Sequence, residues 1–247
     1  MSSPSRKVTR HSRKASITDA GLRVTSLNIP KVQLERQVGG KRVLRDCSGR
    51  QDWPERGLYF FFEPGEARSD ATTPRVVRVG ANGVSAGSKN TLWKRLYGHR
   101  GTVTGGGNHR GSIFRLRVGE ALQARDGASC ATWAQGSSAP AAIREAERPF
   151  EGQVSRMLGQ FSVLWLDIPG DPGPQSERAF LEGQCIALLS HVHPDADAPS
   201  SGWLGRQAQR AEIRESGLWN SEHVRGTYDP AFLDVLEKHI QATGGGK

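Results

Sequence analysis

The chain has 247 residues, 36% hydrophobic and 24% charged, a length and composition that allow one large or two small globular domains with a sizeable core. Its three cysteines (Cys47, Cys130, Cys185) are too widely spaced for a zinc knuckle or a disulfide framework, which suits a reducing cytoplasm. No run of 18 apolar residues is present, which excludes a membrane span, and the basic N-terminus lacks the apolar stretch of a secretory signal.

Net charge is +9, and its placement is more informative than its size. Residues 1–50 carry 12 Lys and Arg against three acids, and residues 75–117 carry nine against none. The rest of the chain is net acidic. Two basic blocks on an otherwise acidic chain suit a polyanion such as nucleic acid.

In chain order, residues 1–20 are Ser-, Arg- and Lys-rich with few large apolar side chains and read as a disordered basic tail. Residues 21–54 form an N-terminal arm with short strands in "LRVTSLNI" and "KRVLRDC". "GLYFFFE" (57–63) is a strand by its aromatic content, and "PRVVRVG" (74–80) is a β-branched strand. The short link between them predicts a hairpin. Alternation puts Leu58, Phe60 and Phe62 on one face and Gly57, Tyr59 and Phe61 on the other; in the second strand it groups Val76, Arg78 and Gly80.

The loop "GVSAGSKNT" (83–91) lacks the Gly directly before Lys that a Walker motif requires, so triphosphate binding is rejected. Ser88 and Lys89 either contact a nucleic-acid phosphate or belong to a polar linker. "TLWKRLYGHR" (91–100) reads as a helix. At 100° per residue Leu92, Trp93, Leu96 and Tyr97 make one apolar arc, with Arg95 and His99 sharing a face at its edge. That pair either borders a core or projects into a cleft.

"GGGNHRG" (105–111) is a loop in which Asn108, His109 and Arg110 are DNA contacts or simply exposed. "SIFRLRVG" (112–119) reads as a strand, 120–141 as linker, 141–160 as a helix interrupted at Pro149, and "FSVLWLDIP" (161–169) as a strand. "SERAFLEGQCIALLSHV" (176–192) is a strong helix with Ser176 as N-cap. Apolar residues surround nearly all of it, yet Glu182 lies among them. A carboxylate there needs a partner or a metal; Arg178, four residues earlier, is the ordinary partner. His191 and His193 are two of the three or four ligands a metal site needs, but no Cys or further His lies nearby. Helices near 203–216 and 230–241 form a C-terminal extension, with Trp203 and Trp219 as packing residues.

This order of features resembles the GIY-YIG nuclease family. "GLY" (57–59) stands where the first signature tripeptide does and "RVG" (78–80) where the second does. "TLWKRLYGH" is similar to the family's first helix with its Arg, and "RAFLEGQCIALLS" to the helix that carries its metal-binding Glu. In detail the chain looks like bacterial members of the family, and the Arg95-x-x-x-His99 spacing is similar to that of some of its restriction endonucleases. The resemblance covers 55–192, with an insertion around 101–160, between the arm and a C-terminal extension over 200–247.

The resemblance implies an α/β (α+β) fold: a small three-stranded, mainly antiparallel sheet flanked by helices. It also implies an endonuclease that hydrolyses DNA phosphodiesters with a divalent metal, Mg²⁺ or Mn²⁺, in restriction, defence or repair. RNA is the other candidate substrate, and a homodimer is compatible. Tyr59, Arg95 and His99 would be catalytic and Glu182 would bind the metal. Arg78, Ser88, Lys89, Arg100, Asn108, His109 and Arg110 would contact nucleic acid. Two departures stand out: Arg78 replaces the Tyr of the second tripeptide, and no Asn follows Glu182 closely, Asn220 being a distant substitute. They keep open the alternative of a catalytically inactive nucleic-acid-binding module on the same fold. The enzyme requires Tyr59, Arg95, His99 and Glu182 to converge, with Glu182 not spent on Arg178.

Overall fold

The computed structural model describes residues 28–102, 104–193 and 196–243. The expected basic tail over 1–20 and most of the expected strand over 22–29 lie outside those residues. Asn28–Gln37 is a helix, α1.

A four-stranded antiparallel sheet forms the middle layer, in the order β1-β4-β2-β3. The expected hairpin is β2 (Gly57–Ala67) with β3 (Pro74–Ala81). β4 (Ser162–Asp167) pairs along the other side of β2, and the two-residue β1 (Arg42–Val43) adds to β4. The sheet thus has one strand more than expected, and the extra one comes from the N-terminal arm.

Period-2 alternation sorts β2 as predicted, but both faces are covered. Leu58, Phe60 and Phe62 enter one core with Leu34 of α1, with Leu181, Cys185 and Ile186, and with Phe232, Leu236 and Ile240. Tyr59 and Phe61 enter the other, with Leu92, Leu96, Phe114, Val118, Phe150, Val154 and Leu158. A β-bulge changes the grouping in β3: Phe61 pairs with Arg78, whereas Phe62 pairs with Val76. The extra residue, Val77, returns Arg78 and Gly80 to the face of Tyr59 and turns Val76 to the opposite core.

α2 (Leu92–Arg100) starts where Thr91 Oγ1 accepts the Lys94 amide. The expected strand at 112–119 is instead helix α3 (Ile113–Asp126). Its buried Phe114, Val118, Ala121 and Leu122 are spaced i, i+4, i+7, i+8, and Ser112 and Gly127 cap its two ends. That stripe and those caps outweigh the short alternation in "IFRLRV". α4 (Ala141–Gly159) runs unbroken through Pro149. α5 (Glu177–Leu189) is N-capped by Ser176 as predicted. The helix expected at 203–216 is a 3₁₀ turn (Leu204–Gln207) followed by α6 (Ala211–Ser216), and α7 (Phe232–Ala242) closes the chain. No described helix is long and apolar enough to cross a membrane.

Candidate active site

Tyr59 is fully buried, and its hydroxyl lies 2.8 Å from His99 Nε2. The other ring nitrogen of His99, Nδ1, lies 2.8 Å from Ser112 Oγ, which also accepts the Arg115 amide as the cap of α3. The sheet, α2 and the N-cap of α3 therefore meet in one hydroxyl–imidazole–hydroxyl chain. Burial, then the charges of Arg95, Arg78 and Arg115, hold the His99 imidazole well below its ordinary range, so it is neutral. A neutral imidazole has one nitrogen free to accept a proton.

Two guanidiniums face the same hydroxyl. Arg95 is pushed up from its ordinary range chiefly by the Tyr59 oxygen, with Glu182 adding to it. Burial pulls Arg78 down, while Tyr59 and Glu182 favour its charged form. Arg78 also donates to Trp219 O at 2.6 Å and lies 4.8 Å from the centroid of the Phe114 ring. The Nε groups of Arg78 and Arg95 are buried and have no hydrogen-bond partner among the described residues. Buried guanidinium donors left open in this way suit an anion that is not part of the chain.

Glu182 reaches the site around the free edge of the sheet. β3 is an edge strand, and its outward backbone groups are taken in turn. Val77 O accepts from Trp219 N, Asn220 bonds both N–H and C=O of Val79, and Glu182 Oε1 accepts from Ala81 N at 3.1 Å. Asn220 is thus the next occupant of this edge beside Glu182, although 38 positions separate them in the sequence. The expected ion pair with Arg178 does not form. Arg178 is spent on five backbone carbonyls, those of Asn82, Gly83, Ile168, Pro169 and Asp171. Burial pushes the Glu182 carboxyl up from its usual range, and Arg78 and Arg95 pull it back down.

The donor set for a metal is correspondingly small. No group of three or more His, Cys, Asp or Glu among the described residues could hold an ion. One carboxylate, with one oxygen on Ala81 N–H and the other without a hydrogen bond among the described residues, does not suit Zn²⁺. It does fit Mg²⁺, which keeps several waters and takes one or two carboxylates plus substrate phosphate oxygens.

The remaining expected contacts fall in three groups. Lys89 is exposed on the loop before α2, and Ser88 accepts the Asn90 amide there. Arg100 is nearly buried and donates to Cys47 O and Gly101 O. Asn108, His109 and Arg110 are engaged within the fold. Asn108 accepts the Arg110 amide, and buried His109 meets Glu151 Oε1 through its amide and its Nδ1. Arg110 forms a two-pronged pair with Glu147 at 2.6 and 2.8 Å. His191 and His193 face backbone carbonyls of Ala196 and Gly226. Trp203 and Trp219 both donate to Glu63.

Two residues of the site, Ser112 and Arg115, were not singled out from the sequence, and Asn220 stood there only as a distant substitute for an Asn after Glu182. Ser112 carried a signal, since a Ser before a helical apolar stripe is an N-cap. Arg115 joins Glu151 and the carbonyls of His99 and Arg100, fixing the end of α2. Nothing local marks it or Asn220.

No curated protein and no solved structure matches the chain. The family model described as the GIY-YIG domain matches residues 30–245, from the first described helix to beyond the last. With its two tripeptides meeting at the Tyr59–Gly80 pair of the β2–β3 hairpin and matched by that model over most of its length, the chain belongs to the GIY-YIG family, whose members are generally endonucleases.

Proposed function

We propose that the chain is a divalent-metal-dependent endonuclease that hydrolyses DNA phosphodiester bonds. The observation that carries this is the Tyr59–His99–Ser112 chain, flanked by two arginines with open donors and a Glu182 that Arg178 leaves free. Arg95 and Arg78 would bind the scissile phosphate, on which negative charge develops. Tyr59 would take a proton from the attacking water as its own hydroxyl proton passes to His99 Nε2. Ser112 holds the imidazole in the orientation that receives it. Glu182 would hold the metal, which when bound polarises the phosphate and stabilises the leaving oxygen. Because Tyr59 has no exposed surface, water would reach its hydroxyl once the arginines move onto the substrate. The Arg95–His99 spacing favours a role in restriction or defence.

The test is cleavage of plasmid in Mg²⁺ by the wild type, Glu182→Ala and Arg95→Ala. Activity should fall by a hundredfold or more in each variant, on the order of the loss of one transition-state donor, and disappear with EDTA. Cleavage that survives both substitutions sinks the assignment. Arg78 in place of the family tyrosine, anchored on Trp219 O, favours the second reading, a binding module without activity. Binding of DNA with no cleavage on varied substrates would select it.

A further inference from the structure

The C-terminal ends of α2 and α4 enclose a cavity of about 350 Å³, lined by Arg45, Arg100, Thr102, Ser155, Arg156 and Gln160 among others. Three arginines converge there, and among the described residues no carboxylate lines it. Two of the three have donors to spare. Arg156 has neither a hydrogen bond nor an ion pair among the described residues, and Arg100 engages Cys47 O and Gly101 O through Nη1 and Nε, leaving Nη2 without a partner there. Among the described residues Arg45 pairs only with Asp46, at 3.8 Å and with both side chains exposed.

Magnitudes decide whether these cations merely neutralise helix ends. Each helix C-terminus is worth roughly half a negative charge. Two ends and Asp46 offset about two of the three positive charges, leaving roughly one, the charge of a single phosphodiester. Arg100 also directly follows His99, so the cavity and the Tyr59 site are served by consecutive residues of one helix. Arg95 and Arg100 are five residues apart, about 7.5 Å along the axis, which is about two nucleotides of one strand at roughly 3.4 Å each.

We propose that this cavity is a second phosphate subsite. It would grip a backbone phosphate of the bound nucleic-acid strand a few nucleotides from the scissile one. The inference rests on the nuclease reading for its ligand but not on catalysis. Binding is therefore measured in the Glu182→Ala background, with a labelled duplex titrated in salt between roughly 50 and 200 mM. Adding Arg45→Ala and Arg156→Ala should weaken binding about tenfold and reduce the slope of log K against log salt by about one. Both side chains are exposed, so the fold should survive; an unchanged thermal melt checks that. Arg148→Ala, which removes an exposed arginine about two turns before Arg156 on α4 and outside the cavity lining, should leave the slope unchanged. An unchanged slope and affinity in the double variant overturn the subsite alone. Equal losses with Arg148→Ala overturn it too, since they reduce it to a general charge effect. Absence of any duplex binding by the Glu182→Ala protein defeats the nucleic-acid reading itself, and the subsite with it.

Discussion

Gly80 has no side chain because Tyr59 occupies the space where one would stand: a Cβ built there meets the hydroxyl at 2.2 Å. The second tripeptide thus contributes an absence, and the first contributes the hydroxyl that fills it. Tyr59, Arg95, His99 and Glu182 could each be named as candidates from the sequence, because each stands against the apolar pattern of its own strand or helix. Glu63 could not, because nothing in "FFFEP" says that its carboxylate turns inward. It is buried, accepts Trp203 Nε1 at 2.9 Å and Trp219 Nε1 at 3.0 Å, and burial pushes its carboxyl up to about 7 from 4.5. The folded state therefore holds this proton more tightly than the unfolded chain does. Its contribution is full below about pH 4.5, falls as pH rises, and is lost above about 7. Glu63→Gln keeps an oxygen for both indoles and removes the titration. Chemical denaturation at several pH values should show the variant gaining on the wild type across that window, by up to on the order of 3 kcal/mol above it. A difference between the two proteins that does not change with pH would show that Glu63 carries no such shift.

Among the elements, α3 and α4 make up most of the segment expected as an insertion, and they are what fixes α2, the helix that carries Arg95 and His99. Glu147, Glu151 and Ser155 form a buried polar stripe on α4 at i, i+4 and i+8, and Arg110 and Arg115 meet it. Arg115 is fully buried and joins Glu151 Oε2 to His99 O at 2.9 Å and Arg100 O at 3.1 Å. Glu151→Ala would strand that guanidinium and His109 together. Removing one partner of a buried pair costs about 3–5 kcal/mol, or roughly 10 °C in melting temperature for a chain of this size. Thermal unfolding checks it, and a drop of under about 2 °C would contradict the clamp. The sequence hid this arrangement for a physical reason. Residues 112–119 alternate like a strand, and buried acids on α4 look like an ordinary solvated face until their arginine partners are placed. The β2–β3 hairpin, the Thr91-to-Arg100 helix and the Ser176 cap were legible because each is written in adjacent residues.

Across the whole molecule, the first and last described helices, α1 and α7, are part of the fold that carries the site. Leu34 of α1 packs in the same core as Phe232, Leu236 and Ile240 of α7, and the span from Gly217 to Asn220 lines the open edge of β3. A sequence reading that treats 200–247 as an extension misses this, since edge pairing between residues about 140 apart leaves no local trace. Its most consequential member is Asn220, whose Oδ1 accepts Val79 N at 3.1 Å and whose Nδ2 donates to Val79 O at 2.9 Å. One side chain thereby does for β3 what a fifth strand would do, one pair of backbone groups away from Glu182 on Ala81. Asn220→Ala would leave both Val79 groups buried and unpaired, at about 1–3 kcal/mol each. The variant should unfold several degrees lower, and the Val79 amide should exchange with solvent markedly faster. The amide of Gly80 points the other way, into β2, and should keep its protection. Equal loss of protection at both amides would mean general loosening of the hairpin, and unchanged exchange at Val79 would show that Asn220 does not hold the edge on which Glu182 rests.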